Sequence, residues 1–578
     1  MIQILIKITQ LTWIHELARI IGHKVHETLA TLGNCLVPSS NRILFSLGFF
    51  CLALMNPFLN GFGQNQSVTG QIRLPEAQRP NILIITADDL TYNSLGAMGN
   101  PMSEITPNLD RLAQQGMLFT RGYVTTPVCG PSRESIFTGL LPTSHGTMGH
   151  GNQPPEWWNP PQPKLVGLLA WLGQHGYYTG VIDKHVSKYG TDSIDYTRNT
   201  VATGFGRDPG KYGELTREFI TEAGKAGKPF ILNVNAVDPH RPWAGEKYES
   251  EEWIDFMLDH YKAEKEDFPD YPSGKPWPDP KKQYEPEDVV IPAPYPDTPE
   301  FRKWLSYYYS SVKRLDQVVG STLEAIGEEE GKNTLILFLS DHGLGFAFSK
   351  WSLYPHGTRT PFIMKWPERL VAGKIDASHL LSTIDIMPTL LDAAGVPVPY
   401  ELDGISFLPL LLGEREKWPR EYIFTTWNFM DRGQRGDPVF QEYRPDLYRL
   451  AEEYRPMRAL HGQRYVYVWN AWSDGETKIP PVMGGEGSPA ISILSSMESA
   501  ALYPDPQERK EFYLFRTPEE LYDTEKDPGC LHNLARDVAF LPMLNRFRNQ
   551  MLQTLKAQDD HELENYRRYL KTTDFSED

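Results

Sequence analysis

The chain has 578 residues, 40% of them hydrophobic, and a formal net charge of −17 at pH 7. Its length suits a globular protein of two domains. The acidic balance excludes nucleic acid as the expected partner, although a cleft that gathers lysine and arginine can still take a polyanion.

In chain order, the first feature is the apolar run from Ile43 to Met55, behind Arg42 and ahead of the small-residue stretch Gly61-Phe62-Gly63. A charged flank, a short apolar core and small residues are the layout of a secretory signal peptide, and the run is short for a transmembrane helix. Residues 1–63 are therefore expected to be a leader and 64–79 a linker, with an uncleaved anchor as the alternative. The mature chain would be exported to a periplasm, a lumen or the medium. Two of the four cysteines, Cys35 and Cys51, fall in the leader, which leaves Cys129 and Cys530.

From about Pro80 apolar runs alternate with helical patterns. Asn81–Thr86, Tyr177–Ile182, Phe230–Asn235 and Thr334–Ser340 read as buried parallel strands. Pro107–Gln115, Lys164–His175 and Phe301–Ile326 read as helices, the last with Leu305, Tyr308, Val312, Leu315, Val319 and Leu323 at helical spacing. This alternation predicts a sheet covered by helices on both faces over residues 80–413. The stretch 249–299 reads as a surface excursion. Beyond residue 413, Tyr422–Trp427 and Arg464–Asn470 alternate like antiparallel strands, and a helix is expected over Leu541–Lys556, so 414–578 should form a smaller α+β part.

Chemistry concentrates at strand ends. The first strand runs into Asp88-Asp89, the Thr334–Ser340 strand into Asp341-His342, and the Phe230–Ala236 strand into Asp238-Pro239-His240-Arg241. An Asp-Asp pair after a strand is ordinarily a turn or a cap. Two acidic ends on the carboxyl edge of one sheet instead suit a hard divalent cation, Ca2+ before Mg2+. Cys129 precedes Gly130-Pro131-Ser132-Arg133, where Pro131 fits a first helical turn, so the thiol should sit at a positive helix end beside a fixed cation.

The string Cys129-x-Pro131-Ser132-Arg133 with Thr138-Gly139 resembles the sulfatase family, whose cysteine is oxidised to formylglycine by a maturation enzyme. Asp385-Ile386-Met387-Pro388-Thr389-Leu390 and Asp403-Gly404-Ile405-Ser406 add generic family strings. Other stretches resemble the branch that removes N-sulfate from glucosamine in heparin and heparan sulfate. They are Asp238–Arg241, Asp288–Pro292 with Pro296–Pro299, Arg314–Gly320, Pro456–Arg458, and Glu520–Asp523 with Asp527-Pro528 and Asn533-Leu534.

The resemblance implies an α/β, alkaline-phosphatase-like mixed sheet sandwiched by helices, with a smaller C-terminal α+β domain on an antiparallel sheet. It also implies formylglycine at Cys129, Arg133 holding its hydrate, and a cation held by Asp88, Asp89, Asp341, His342 and residue 129. His240 would protonate the leaving group and His185 would take a proton from the nucleophile, while Lys184, Lys350, Arg241 and Arg458 would meet the substrate. A Cys129–Cys530 disulfide would then be excluded.

The chain departs from the family pattern twice. His342 stands where Asn is usual, and Asp183-Lys184-His185 replaces a Gly-Lys-x-His spacing. Adjacent side chains on a strand end point to opposite faces, so a turn is needed there, and Lys188 is an alternative to Lys184. The substrate expected is a sulfated glycosaminoglycan or oligosaccharide. An O-sulfatase, a phosphonate or phosphodiester hydrolase and a non-catalytic glycan-binding relative are the other readings. The oligomeric state is left open, a dimer included.

Overall fold

The computed structural model describes residues 79–149, 165–184, 194–198, 207–241, 243–245, 278–414, 417–428, 455–476, 512 and 515–575. The expected leader and most of the linker, together with His185 and Lys188, lie outside the described residues. Everything described belongs to one compact unit spanning residues 71–578.

The main sheet has nine strands: β1 (Asn81–Ala87), β2 (Met117–Tyr123), β3 (Tyr178–Ile182), β4 (Tyr196–Arg198), β5 (Phe230–Asn235), β6 (Thr334–Ser340), β7 (Arg359–Lys365), β8 (Lys374–Asp376) and β9 (Leu381–Ser382). Their order is β4-β3-β5-β1-β6-β7-β2-β8, with β9 also against β2. Only β7 runs against the others, pairing antiparallel with β6 and with β2. The sheet is therefore mixed, and β2 still ends on the same edge as β1, β3, β5 and β6.

Two cores form because every second side chain of a strand faces the same way. On β1, Leu83, Ile85 and Ala87 enter one cluster, and Ile82 and Ile84 enter the other. Helix α1 (Pro107–Gln114) covers the first face, and α2 (Cys129–Thr138) and α3 (Leu168–Gln174) contribute to the second. Helices α4 (Pro209–Ala226) and α5 (Pro299–Ile326) join α1 on the first face, and α6 (Ile386–Ala394) covers the second. Helix α5 opens on Pro299 with Thr298 as its cap, the hydroxyl accepting from Phe301 N–H at 3.2 Å. The residues expected on its apolar face are buried, except for Leu323, which is half-buried.

The second sheet, β10 (Ile423–Trp427), β11 (Met457–His461), β12 (Tyr465–Asn470) and β13 (Glu519–Asp523), is antiparallel throughout. One face sends Met457, Ala459, Val466, Val468 and Tyr522 into the first core of the main sheet. The other sends Leu460, Tyr467, Trp469 and Leu521 against α7 (Leu541–Ala557) and α8 (Leu563–Leu570). The two sheets lie on either side of residue 413 and yet share a core.

The loop after β6 is packed to backbone contact. A Cβ on Gly343 would lie 1.7 Å from the carbonyl oxygen of His356. Gly343→Ala is expected to cost about 1–3 kcal/mol, the range for overpacking, read as a lowered thermal midpoint. Because Gly343 follows His342, the same change should also displace that imidazole.

Candidate active site

Parallel pairing brings the acidic strand ends together. Ala87 stands opposite Ser340 in the β1–β6 register, so Asp88 and Asp341 emerge side by side. Asp89 adopts a left-handed backbone (φ 64°), which turns the chain at once and lets its N–H donate to Asp341 Oδ1 at 3.2 Å. Cys129 opens α2, 2% exposed, with Sγ 3.5 Å from Asp88 Oδ1 and 3.2 Å from His342 Nε2.

Asp88, Asp89, Cys129 and His342 each offer one atom, all within 4.8 Å of one another. That donor set fits a divalent cation. His342 Nδ1–H donates to Gly343 O at 2.9 Å, so Nε2 carries the lone pair that faces the cluster. Asp341, expected in the same set, borders it: Oδ1 lies 3.8 Å from His342 Nε2 and accepts from the Asp89 amide, and Oδ2 accepts from Arg133 Nε at 2.9 Å.

Three permanent cations balance these carboxylates. Arg133 is fully buried, with Nη2 3.5 Å from Asp88 Oδ2. Lys350 Nζ lies 2.8 Å from Asp89 Oδ1 and 3.6 Å from Cys129 Sγ. Lys184 Nζ pairs with Asp88. It reaches there because Asp183, at φ 63°, supplies the turn that the strand-end argument demands. Three cations meet three carboxylates, so a divalent ion would leave a positive surplus that attracts an anion.

The charges move one another. Burial alone would raise Asp88, but Lys184, His240, Arg133 and Lys350 outweigh it and hold the carboxyl well below its usual range. Burial likewise opposes the ionised Asp89, and Lys350 leads the charges that lower it. Burial lowers His342, yet Asp341 foremost pushes it up to about 9. A cation bound among these residues would reverse that push. His240 donates from Nδ1 to Arg241 O and keeps Nε2 4.0 Å from Asp89 Oδ2. Its side chain is 35% exposed, open to a substrate, while desolvation brings it down to about 4 against the pull of Asp89 and Asp88.

Residues 80–396, more than half of the chain, match the sulfatase family model. The chain belongs to the sulfatase family. This sulfatase is 29% identical over 493 residues to human N-sulphoglucosamine sulphohydrolase, covering 83% of this chain and 90% of that one. It is 25% identical over 509 residues to the delta 4,5-hexuronate-2-O-sulfatase of Bacteroides thetaiotaomicron, covering 82% and 88%. A solved structure in complex with its substrate D-glucosamine-2-N,6-O-disulfate superposes with a TM-score of 0.55 at 18% identity, covering 84% and 98%, which speaks for the fold.

Of the residues expected at the sulfatase site, Cys129, Arg133, Asp88, Asp89, Asp341, His342, His240, Lys184 and Lys350 converge on one strand edge. Arg241 is exposed beside His240, its guanidinium 5.8 Å from the Trp243 ring and 5.3 Å from that of Trp304. Arg458 is a correction. It shares with Leu460 the face of β11 turned to the C-terminal helices, away from the edge, because Met457 and Ala459 take the other face. There it is fully buried and bidentate to Asp560, at 2.8 and 2.9 Å.

Sequence reasoning passed over Asn235, whose Oδ1 accepts from Arg133 Nη1 at 2.7 Å. The signal was present: two amides inside an apolar strand are costly unless satisfied.

Proposed function

We propose that this sulfatase hydrolyses the N-sulfate of glucosamine residues in heparin or heparan sulfate, with Cys129 matured to formylglycine and Ca2+ bound by Asp88, Asp89, Asp341, His342 and residue 129. The observation that carries the catalytic reading is Cys129, at a helix N-terminus within contact of Asp88, His342 and Lys350. Support for the N-sulfo substrate comes from the human relative above, similar over 83% of the chain.

Formylglycine would supply, as its hydrate, an oxygen nucleophile for sulfur and a carbonyl that returns when sulfate leaves. Bound Ca2+ would supply charge that favours the ionised nucleophile. Arg133, fixed by Asp341 and Asp88, holds that hydrate and keeps a cation beside it. Lys184 and Lys350 draw the sulfuryl oxygens away from the carboxylates. His240 gives its Nε2 proton to the leaving nitrogen, and the arriving sulfuryl anion favours the protonated ring against the desolvation that lowers it. His185 takes the proton of the second hydroxyl. Arg241, beside His240, meets the anionic sugar chain.

An O-sulfatase would share this machinery, and the 2-O-sulfatase relative is the observation that favours it. Formylglycine-bearing protein is expected to release sulfate from N-sulfoglucosamine at least about tenfold faster than from glucosamine 6-O-sulfate, the discrimination a matched polar pocket provides. Turnover of the 6-O-sulfate alone would replace the N-sulfatase reading.

A further inference from the structure

Strand β5 reads Phe230-Ile231-Leu232-Asn233-Val234-Asn235, all buried, between β3 and β1. An amide in such a place costs about 1–3 kcal/mol unless its hydrogen bonds are met. Here two of them, both 0% exposed, stand two residues apart and so on one face. Asn235 Oδ1 accepts from Arg133 Nη1 at 2.7 Å and from Asn233 Nδ2 at 3.2 Å. Its Nδ2 donates to Ile182 O at 3.3 Å, and its own carbonyl accepts from the Tyr212 hydroxyl at 3.0 Å. The side chain thus spans from Arg133 on α2 to the last residue of β3, next to the Asp183 turn that delivers Lys184.

Arg133 is held from three sides: Nε by Asp341, Nη1 by Asn235, and Nη2 facing Asp88 at 3.5 Å. The two carboxylates alone leave Nη1 with no acceptor in a fully buried site and leave the guanidinium plane free to tilt toward whichever anion is nearer. A third acceptor fixes the plane.

We propose that Asn235 is a positioning residue for this sulfatase, fixing the guanidinium plane of Arg133 toward residue 129 and tying it to the turn that carries Lys184. The inference rests on the function proposed above. Arg133 acts on the nucleophile, and Asn235 acts through Arg133.

Asn235→Ala and Asn235→Asp separate positioning from mere packing. Both lose the donor to Ile182 O, but Asp restores the acceptor for Arg133. In the mature protein, Asn235→Ala should lower kcat about 10- to 100-fold, the usual cost of losing an outer hydrogen-bond partner, with KM nearly unchanged. Asn235→Asp should recover part of that kcat. A structural role alone predicts the reverse, because a buried carboxylate lowers the thermal midpoint further than alanine does.

A readout independent of turnover is the Arg133 Nε–H signal in 15N NMR of the unmodified Cys129 protein, assigned by its loss in Arg133→Ala. It should be sharp and protected from exchange in wild type and in Asn235→Asp, and broadened or absent in Asn235→Ala. Wild-type kcat in Asn235→Ala, or kcat in Asn235→Asp at or below that of Asn235→Ala, overturns the proposal, as does an unaltered Nε–H signal. Mature wild-type protein that releases no sulfate overturns the function and this inference together.

Discussion

Replacing Cys129 with alanine is expected to lower sulfate release by at least about 10,000-fold, a loss typical of removing a covalent nucleophile. The surrounding charges are set for an attacking oxygen at residue 129. Arg133, Lys350 and the N-terminus of α2 all present positive charge to that position, and none of them can supply the nucleophile. Alanine removes the sulfur through which Cβ is converted to the aldehyde, so no formylglycine can form, and leaves the rest in place. Stability should change little, on the order of 1 kcal/mol for one buried heavy atom, so the loss of activity is separable from unfolding by thermal denaturation. The companion measurement is the mass of the wild-type peptide holding residue 129, which should be lighter than its cysteine form by about the mass of one water. An active enzyme whose peptide keeps an intact thiol would refute the formylglycine mechanism.

Much of this was legible in the residues. Strands Phe230–Asn235 and Thr334–Ser340 end where the apolar runs end, because buried parallel strands need continuous apolar side chains and the functional residues follow at once. The clustering of Asp88, Asp89, Cys129 and His342 follows from topology, which sets the ends of β1, β2 and β6 on one edge. The antiparallel β7 was not legible: Arg359–Lys365 is a short run interrupted by Pro361, and its direction depends on the neighbours β6 and β2 rather than on its own pattern. The turn at Asp183 was required by the Lys184 argument, yet no glycine marks it, and an aspartate in the left-handed region cannot be told in advance from one on a strand end. Arg458 misled for a related reason. A charged residue in a string shared with relatives suggests a ligand, whereas strand parity sends it to the far face and into an ion pair with Asp560.

The second large effect should come from removing the cation. Exhaustive chelation is expected to abolish turnover, at least about 100-fold, because positive charge at the nucleophile is the main electrostatic term in such a site. The fold should survive, since the same carboxylates have other partners: Lys184 on Asp88, Lys350 on Asp89 and Arg133 on Asp341. Charge compensation by side chains limits the repulsion that bare carboxylates would otherwise feel, so the thermal midpoint should fall far less than activity does. Ca2+ should restore activity better than Mg2+, because carboxylates drawn from separate strand ends suit a hard ion of flexible coordination better than one that demands a near-ideal octahedron. In Asp88→Asn the ligand charge is lost while Lys184 and Arg133 lose an anionic partner, so added Ca2+ should fail to restore turnover at concentrations that saturate wild type. Calorimetric titration of chelated protein measures this directly. Full activity after chelation, confirmed by elemental analysis, would show that Arg133, Lys184 and Lys350 suffice alone.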